Sequence, residues 1–182
     1  MQKNTIAERN YRIKMLAVSA MMVALSVVIG YICKTVPILN LGVGLRITFE
    51  NLPIILAGIM FGPVVGGCVG FAADMLSCIF SGQTPLLFVS LGSISIGVVA
   101  GICSKYVVRK NGVWKIVLCE AAAHLVGSLI IKTAALSMAY GYVIVLRIPL
   151  GLAIAVVEIV IVLILYSNKT VRKLVDSGGR EN

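Results

Sequence analysis

The sequence predicts an all-α integral membrane protein with six transmembrane helices and with both termini in the cytoplasm. Of its 182 residues, 59% are hydrophobic and 13% are charged, and the mean hydropathy of +1.04 exceeds that of soluble domains. Twelve of the sixteen Lys and Arg residues form three blocks at the start, middle and end of the chain. Cytoplasmic loops carry such excesses, so an even number of crossings should separate consecutive blocks. The blocks are Lys3, Arg9, Arg12 and Lys14; Lys105, Arg109, Lys110 and Lys115; and Lys169, Arg172, Lys173 and Arg180.

Apolar length and turn residues define the individual helices. The stretch 15–33 has nineteen residues without a charge, so it can span a bilayer and should not be a cleaved signal peptide. The stretch 51–104 exceeds one crossing, and Gly62-Pro63 and the turn at 81–85 divide it into three segments. Four crossings then precede the middle basic block and two follow it. The predicted helices are 15–33, 47–61, 63–80, 86–104, 114–138 and 147–167, of which the short second one is alternatively a re-entrant limb.

Residues 1–182 are predicted to form a single membrane domain, with a basic cytoplasmic segment at 1–14 and a cytoplasmic tail at 169–182. The net charge of +9 is assigned to anionic lipid headgroups instead of nucleic acid. The five cysteines form no Cys-x-x-Cys pair, so no metal site is predicted. Hydrolase and phosphate-binding motifs are also absent from the sequence, which argues against an enzyme and against a nucleotide site.

Polar residues inside the predicted helices are the candidates for function. Glu120, His124, Ser128 and Lys132 recur every four residues, so they should form one polar stripe on the fifth helix. A charged side chain in lipid costs about 2.5–3.5 kcal/mol, so these groups should face the protein interior or water. Two further carboxylates, Asp74 and Glu158, carry the same cost. One reading is an internal salt-bridge ladder; the one we prefer is a solute cavity open to the outside and lined by Lys132, His124 and Asp74.

A second group of candidates lies at the predicted outer membrane face. Arg46, Phe49 and Glu50 have i, i+3 and i+4 spacing, which places a cation, a ring and a carboxylate side by side. They form either part of a ligand site or an interfacial ion pair with an aromatic anchor. Arg147 begins the sixth helix on the same side, where it joins this group or contacts headgroups.

Small residues on the first helix indicate a close helix–helix contact. Ala17, Ala20 and Ala24 follow small-residue spacing, which lets two helices approach closely, either within the chain or with a second protein. A glycine cluster between Gly58 and Gly70 has the same property.

The block Arg46-Ile-Thr-Phe-Glu-Asn-Leu-Pro-Ile-Ile-Leu-Ala-Gly-Ile-Met-Phe-Gly-Pro63, followed by Gly66, Gly70 and Asp74, resembles the S components of energy-coupling factor vitamin transporters. The folate-specific branch is the most similar. This resemblance implies a multi-pass protein of the bacterial plasma membrane that captures folate from outside the cell with high affinity. It further implies docking through Ala17, Ala20 and Ala24 onto a membrane scaffold subunit that carries two ATPase subunits. These partners would use the ATP, and the chain itself would bind no cofactor.

The chemistry of folate matches several candidate residues. Its pteridine has two neighbouring N–H donors for a carboxylate such as Asp74 or Glu50, and its glutamate tail would pair with Arg46, Arg147 or Lys132. The rings of Phe49 and Phe88 would stack on the pteridine or the benzoyl group, and His124 would complete the cavity wall. The alternatives are another vitamin such as riboflavin, a small proton-coupled secondary transporter, or a membrane scaffold without a ligand.

Overall fold

The computed structural model describes residues 2–36, 47–82, 87–107, 113–140 and 144–167, and this part of the chain is helical apart from short connections. No strand occurs within these ranges. The helices are α1 (Gln2–Thr35), α2 (Asn51–Phe61), α3 (Pro63–Phe80), α4 (Leu87–Ile102), α5 (Val113–Ala123), α6 (Thr133–Tyr140) and α7 (Ile144–Ser167). Two π-helical segments, Cys103–Val107 and His124–Lys132, continue α4 and join α5 to α6.

The predicted order of helices is observed, but two helices differ in length from the prediction. Helix α1 begins at Gln2, so most of the basic segment predicted as a separate N-terminal region belongs to the first helix. Helix α2 has 11 residues and is too short to cross a bilayer, which requires about 20. The described residues contain five helices that are long and apolar enough to span a membrane, together with this shorter apolar one.

The short helix α2 forms the centre of the bundle. All eleven of its residues are buried, and it contacts α1, α3, α4 and α5. A helix that is apolar on every side has to be covered by lipid or by other helices, and α2 is covered by helices. Its central position brings the residues at its N-terminal end, Thr48 to Asn51, into contact with several other helices.

Glycines allow the tight packing around α2. Gly62 has a φ of +88°, which glycine adopts readily and other residues rarely adopt. It turns the chain from α2 into α3, whose first residue is Pro63. A Cβ atom on Gly66 would lie 2.5 Å from the backbone oxygen of Gly97 and 2.7 Å from the Cα of Gly58. The predicted glycine cluster therefore serves backbone-to-backbone contacts among α2, α3 and α4.

The long fifth predicted helix contains an interruption that the sequence did not reveal. The nine residues His124–Lys132 form i→i+5 hydrogen bonds, whereas the predicted polar stripe assumed an α-helix throughout. Four residues complete slightly more than one turn of an α-helix but slightly less than one turn of a π-helix, which has more residues per turn. Side chains four residues apart are therefore offset in opposite directions around the axis in the two kinds of helix. The side chains of His124, Ser128 and Lys132 consequently have different neighbours.

The outer surface of the bundle is apolar. Among the large apolar side chains exposed on it are Met21, Val64, Leu87, Met138 and Ile164. A water-exposed surface of this composition would be unstable, whereas the hydrocarbon core of a bilayer covers it. With its five span-long helices, the chain is a multi-pass membrane protein.

Candidate functional site

A cleft lies between the N-terminal end of α2, the π-helical segment and the start of α7. The space between its walls is about 370 Å³ when the part open to solvent is included, and its enclosed part is only large enough for one or two water molecules, so a larger ligand requires the cleft to widen. Four polar residues and four apolar or glycine residues form the walls. The lining residues are Thr48, Asn51, Ser128, Leu129, Thr133, Leu150, Gly151 and Ile154.

Lys132 is the predicted site residue that lies beside this cleft. Its side chain is buried, and its Nζ donates a hydrogen bond to Oδ1 of Asn51 at 3.1 Å. Its aliphatic part packs against Gly92 of α4, where any larger residue would collide with it. The Lys132 ammonium group is thereby placed next to Asn51, a residue that lines the cleft. The sequence analysis did not select Asn51, although it directly follows a predicted site residue.

Glu50 points to the other side of α2, toward α1 and α3. Its Oε2 atom is buried, has no hydrogen-bond partner among the described residues, and lies against Gly30 of α1. The Ser77 hydroxyl contacts the same glycine and accepts a hydrogen bond from Nζ of Lys34 at 2.7 Å. Sequence reasoning missed the buried Lys34, for which the available signal was a cation in the last turn of an otherwise apolar helix. Ser26 donates to the backbone oxygen of Glu50 and holds this residue in position.

Asp74 lies in the contact between α3 and α4. Its Oδ2 atom accepts a hydrogen bond from the Ser90 hydroxyl at 2.6 Å, and both residues are buried. This arrangement satisfies one oxygen of a carboxylate within the helix pair. It separates Asp74 from the cleft, which no residue of α3 lines.

The third polar group is centred on His124. Nε2 of His124 contacts Oε2 of Glu158, which connects the π-helical segment to α7. Glu120, one turn before His124, faces the same pair, and these three residues are 0–2% exposed. Within the described part of the chain, Lys132, His124 and Asp74 contact three different partners, namely Asn51, Glu158 and Ser90, and a cavity shared by the three stays a prediction.

The remaining predicted site residues have different positions. Phe49 is half-buried beside Glu50, whereas the ring of Phe88 is 63% exposed on the outside of α4. Arg46 and the side chain of Arg147 lie outside the described residues. Roles of these four residues in binding stay predictions.

The three alanines predicted as a partner surface are exposed. Ala17, Ala20 and Ala24 lie on α1 away from the bundle, which α1 contacts through residues such as Val27 and Gly30. The sequence left open whether these alanines pack within the chain or against a second protein. Among the described residues they do not pack within the chain. The small-residue face is available at the membrane-facing surface.

Comparison with known proteins assigns the chain to a family. Among curated proteins, it is 39% identical over 59 residues to the uncharacterized protein MG098 homolog of Mycoplasma pneumoniae. That match covers 32% of this chain and 12% of the relative, so the chain corresponds to a small part of that protein's length. No solved structure matches the chain. The model of the family described as ECF transporter, substrate-specific component, matches residues 14–167, and the chain therefore belongs to this family of membrane transport subunits.

Proposed function

We propose that this S component captures folate in the cleft beside Lys132. The observation that carries the proposal is a buried ammonium group, held by the amide of Asn51, next to a cleft with both polar and apolar walls. The folate tail is anionic and its middle and head are aromatic, so a ligand of this kind uses both types of wall. The comparisons support a substrate-binding subunit in general, and the choice of folate rests on the chemistry of these residues.

Lys132 binds the glutamate tail in this proposal. Its Nζ donates to the neutral Oδ1 of Asn51, and a ligand carboxylate that approaches through the cleft would be a stronger acceptor than this amide. The hydroxyls of Ser128 and Thr133 line the same cleft and offer further donors to the carboxylate. Arg46 and Arg147 are proposed to contact the second carboxylate of the tail.

The aromatic part of folate packs on the apolar wall. Leu129, Leu150 and Ile154 provide hydrocarbon surface, and the half-buried ring of Phe49 lies in the segment that leads into α2. Burial of aromatic surface contributes most of the affinity for such ligands, while a few polar contacts determine orientation. The exposed Phe88 would reach the ligand only after a movement of the N-terminal end of α4.

Glu50 is the better of the two candidate acceptors for the pteridine N–H groups. Its Oε2 atom has no hydrogen-bond partner in the described ranges, whereas Oδ2 of Asp74 already accepts from Ser90. A buried carboxylate oxygen without a donor gains a charge-assisted pair when a ligand supplies one. Glu50 does not line the cleft, so the proposal includes an opening between α1 and α2 when folate binds.

The energy for uptake is proposed to come from partner subunits. Ala17, Ala20 and Ala24 would contact a membrane scaffold subunit, and two ATPase subunits bound to that scaffold would hydrolyse ATP. The sequence of the described residues contains no phosphate-binding motif, so in this proposal ATP binds to the partner subunits. On this proposal the Glu50 end of the bundle, which contains the cleft, faces the outside of the cell.

Calorimetric titration of the detergent-purified chain with folate tests the proposal. Replacement of Lys132 by Gln should weaken folate binding by about 10- to 100-fold, because a hydrogen bond to a charged group contributes about 1.5–3 kcal/mol. Glu50→Gln should weaken it by a similar factor. Lys115→Gln is the matched control, since Lys115 is also buried in the same continuous helix but lies about 25 Å away along the axis.

Two results would contradict the proposal. If folate produces no heat while riboflavin binds, the chain is an S component for a different vitamin. If folate binds equally well to wild type and to Lys132→Gln, the cleft is not the site of the tail. Uptake into liposomes by the chain alone, driven by a pH gradient, would instead identify a proton-coupled transporter.

A further inference from the structure

Three ionisable side chains meet in the middle of the bundle, apart from the proposed folate site. Glu120 and His124 extend from the end of α5 and the start of the π-helical segment, and Glu158 extends from α7. One ligand-type atom from each, two carboxylate oxygens and an imidazole nitrogen, lies within 4.8 Å of the other two. All three residues are buried.

Hydrogen bonds within the described part of the chain do not satisfy this group. Glu120 is 0% exposed, and neither of its carboxylate oxygens has a hydrogen-bond partner. Oε1 of Glu158 also has none, although its Oε2 contacts His124. Buried polar atoms are almost always paired in folded proteins, so three unpaired carboxylate oxygens at one place indicate that a ligand supplies the missing contacts.

Nearby cations act on Glu158 and not on Glu120 among the described residues. His124 and Lys132 interact favourably with the Glu158 carboxylate and Glu50 interacts unfavourably with it, whereas the charge that acts on Glu120 is the like charge of Glu158. Ala123, which directly precedes His124, and Val162, one turn after Glu158, both belong to the apolar core. Two carboxylates in such surroundings have to be neutralised, either by a bound cation or by protons.

We propose that Glu120, His124 and Glu158 bind one divalent transition-metal ion of the Zn²⁺ or Mn²⁺ type. Imidazole suits zinc and iron, carboxylates suit manganese and other hard cations, and a mixed set of one nitrogen and two carboxylates binds ions between these classes. The +2 charge of the ion equals the −2 charge of the two ionised carboxylates, so the occupied site would have no net charge in the dry interior. The i, i+4 spacing of Glu120 and His124 places both on one side of the helix.

The backbone at this position has the irregularity that often accompanies a site. The α-helix changes to a π-helix at His124, and π-helical turns occur frequently at functional sites because they redirect side chains. Ser128 and Ile154, four residues from His124 and Glu158 respectively, both line the cleft. The metal site therefore lies one helical turn beneath the cleft. We assign the ion the role of holding α5 and α7 together there.

Metal binding by the purified full-length chain tests this inference without folate or partner subunits. The protein is stripped with a chelator, and Co²⁺ is titrated as a spectroscopic substitute for Zn²⁺, followed by competition with Zn²⁺ and Mn²⁺. One Co²⁺ should bind per chain with visible d–d absorption, and the thermal midpoint should rise when metal is added. Glu120→Gln and Glu158→Gln should each weaken binding by about 100-fold or more, since even outer contacts of metal sites contribute 10- to 100-fold.

Asp74→Asn is the matched control, because Asp74 is a buried carboxylate outside this group and its loss should leave Co²⁺ affinity unchanged. The inference is overturned if wild type binds no stoichiometric Co²⁺, Zn²⁺ or Mn²⁺, which would indicate that protons neutralise the group. It is also overturned if Glu120→Gln and Glu158→Gln both keep wild-type affinity. Folate binding can fail while metal binding succeeds, so this test is independent of the proposed function.

Discussion

The hydrogen bond between Ser90 and Asp74 leads to a prediction that separates structural from binding roles. Replacement of Ser90 by Ala removes the donor to Oδ2 of a carboxylate that is 5% exposed. A hydrogen bond to a charged group contributes about 1.5–3 kcal/mol, so this change should lower the free energy of unfolding by that amount. For a chain of this length, such a loss corresponds to a decrease of roughly 3–12 °C in the thermal midpoint.

A double-mutant cycle measures the interaction itself. In the Asp74→Asn background the same Ser90→Ala change removes a bond to a neutral acceptor, which contributes about 0.5–1.5 kcal/mol. The coupling between the two changes should therefore be about 1 kcal/mol or more. Thermal unfolding in one detergent, read by circular dichroism and by loss of the monodisperse peak, supplies the four values.

Ser95→Ala is the control for this cycle, because Ser95 lies on the same helix and donates only to backbone oxygens of its own helix in the described contacts. It should change stability by less than about 0.5 kcal/mol. A coupling near zero would refute the reasoning, since it would mean that Asp74 does not depend on Ser90. Asp74→Asn should bind folate with unchanged affinity in a titration. A large loss of affinity would mean that Asp74, and not Glu50, binds the pteridine.

Two further changes test packing and docking. Gly66→Ala places a methyl group 2.5 Å from the backbone oxygen of Gly97 and should lower the free energy of unfolding by about 1–3 kcal/mol. At Gly151 the nearest atom to an added methyl group would be a movable side-chain atom of Leu129 at 3.3 Å. Gly151→Ala should consequently be almost neutral, and equal effects of the two would contradict close α3–α4 packing. Ala20→Trp should abolish uptake with the partner subunits while the purified variant still binds folate. Val156→Trp on the exposed face of α7 is its control; loss of folate affinity in Ala20→Trp would mean that this face supports the binding site.

Hydropathy and turn residues were sufficient to predict the membrane fold class and most helix positions. The helix 63–80 is observed with the predicted limits, and Gly62-Pro63 is the corner that it was predicted to be. These features depend on residues close together in the chain, so a local pattern contains the necessary information. The helix at 47–61 was less well predicted, because α2 is buried on all sides and its length is not set by bilayer thickness.

The arrangement of the candidate site depended on contacts between distant parts of the chain. Lys132 and Asn51 are 81 residues apart, and His124 and Glu158 are 34 apart. Which polar side chain meets which depends on the rotation of each helix about its axis, and the π-helical segment changed that rotation at His124. The sequence therefore predicted one stripe of polar residues, whereas in the structure these residues contact different partners.

The amino-acid sequence by itself determined that this protein resides in a membrane, where most of its long apolar helices lie and which residues are too polar for lipid, because transfer free energy is a sum over neighbouring residues. Tertiary structure alone decided how those polar residues are satisfied. It paired Lys132 with Asn51 and Asp74 with Ser90, and it left the Glu120 carboxylate without a hydrogen-bond partner among the described residues, because each pairing requires two helices to meet at one depth and one rotation.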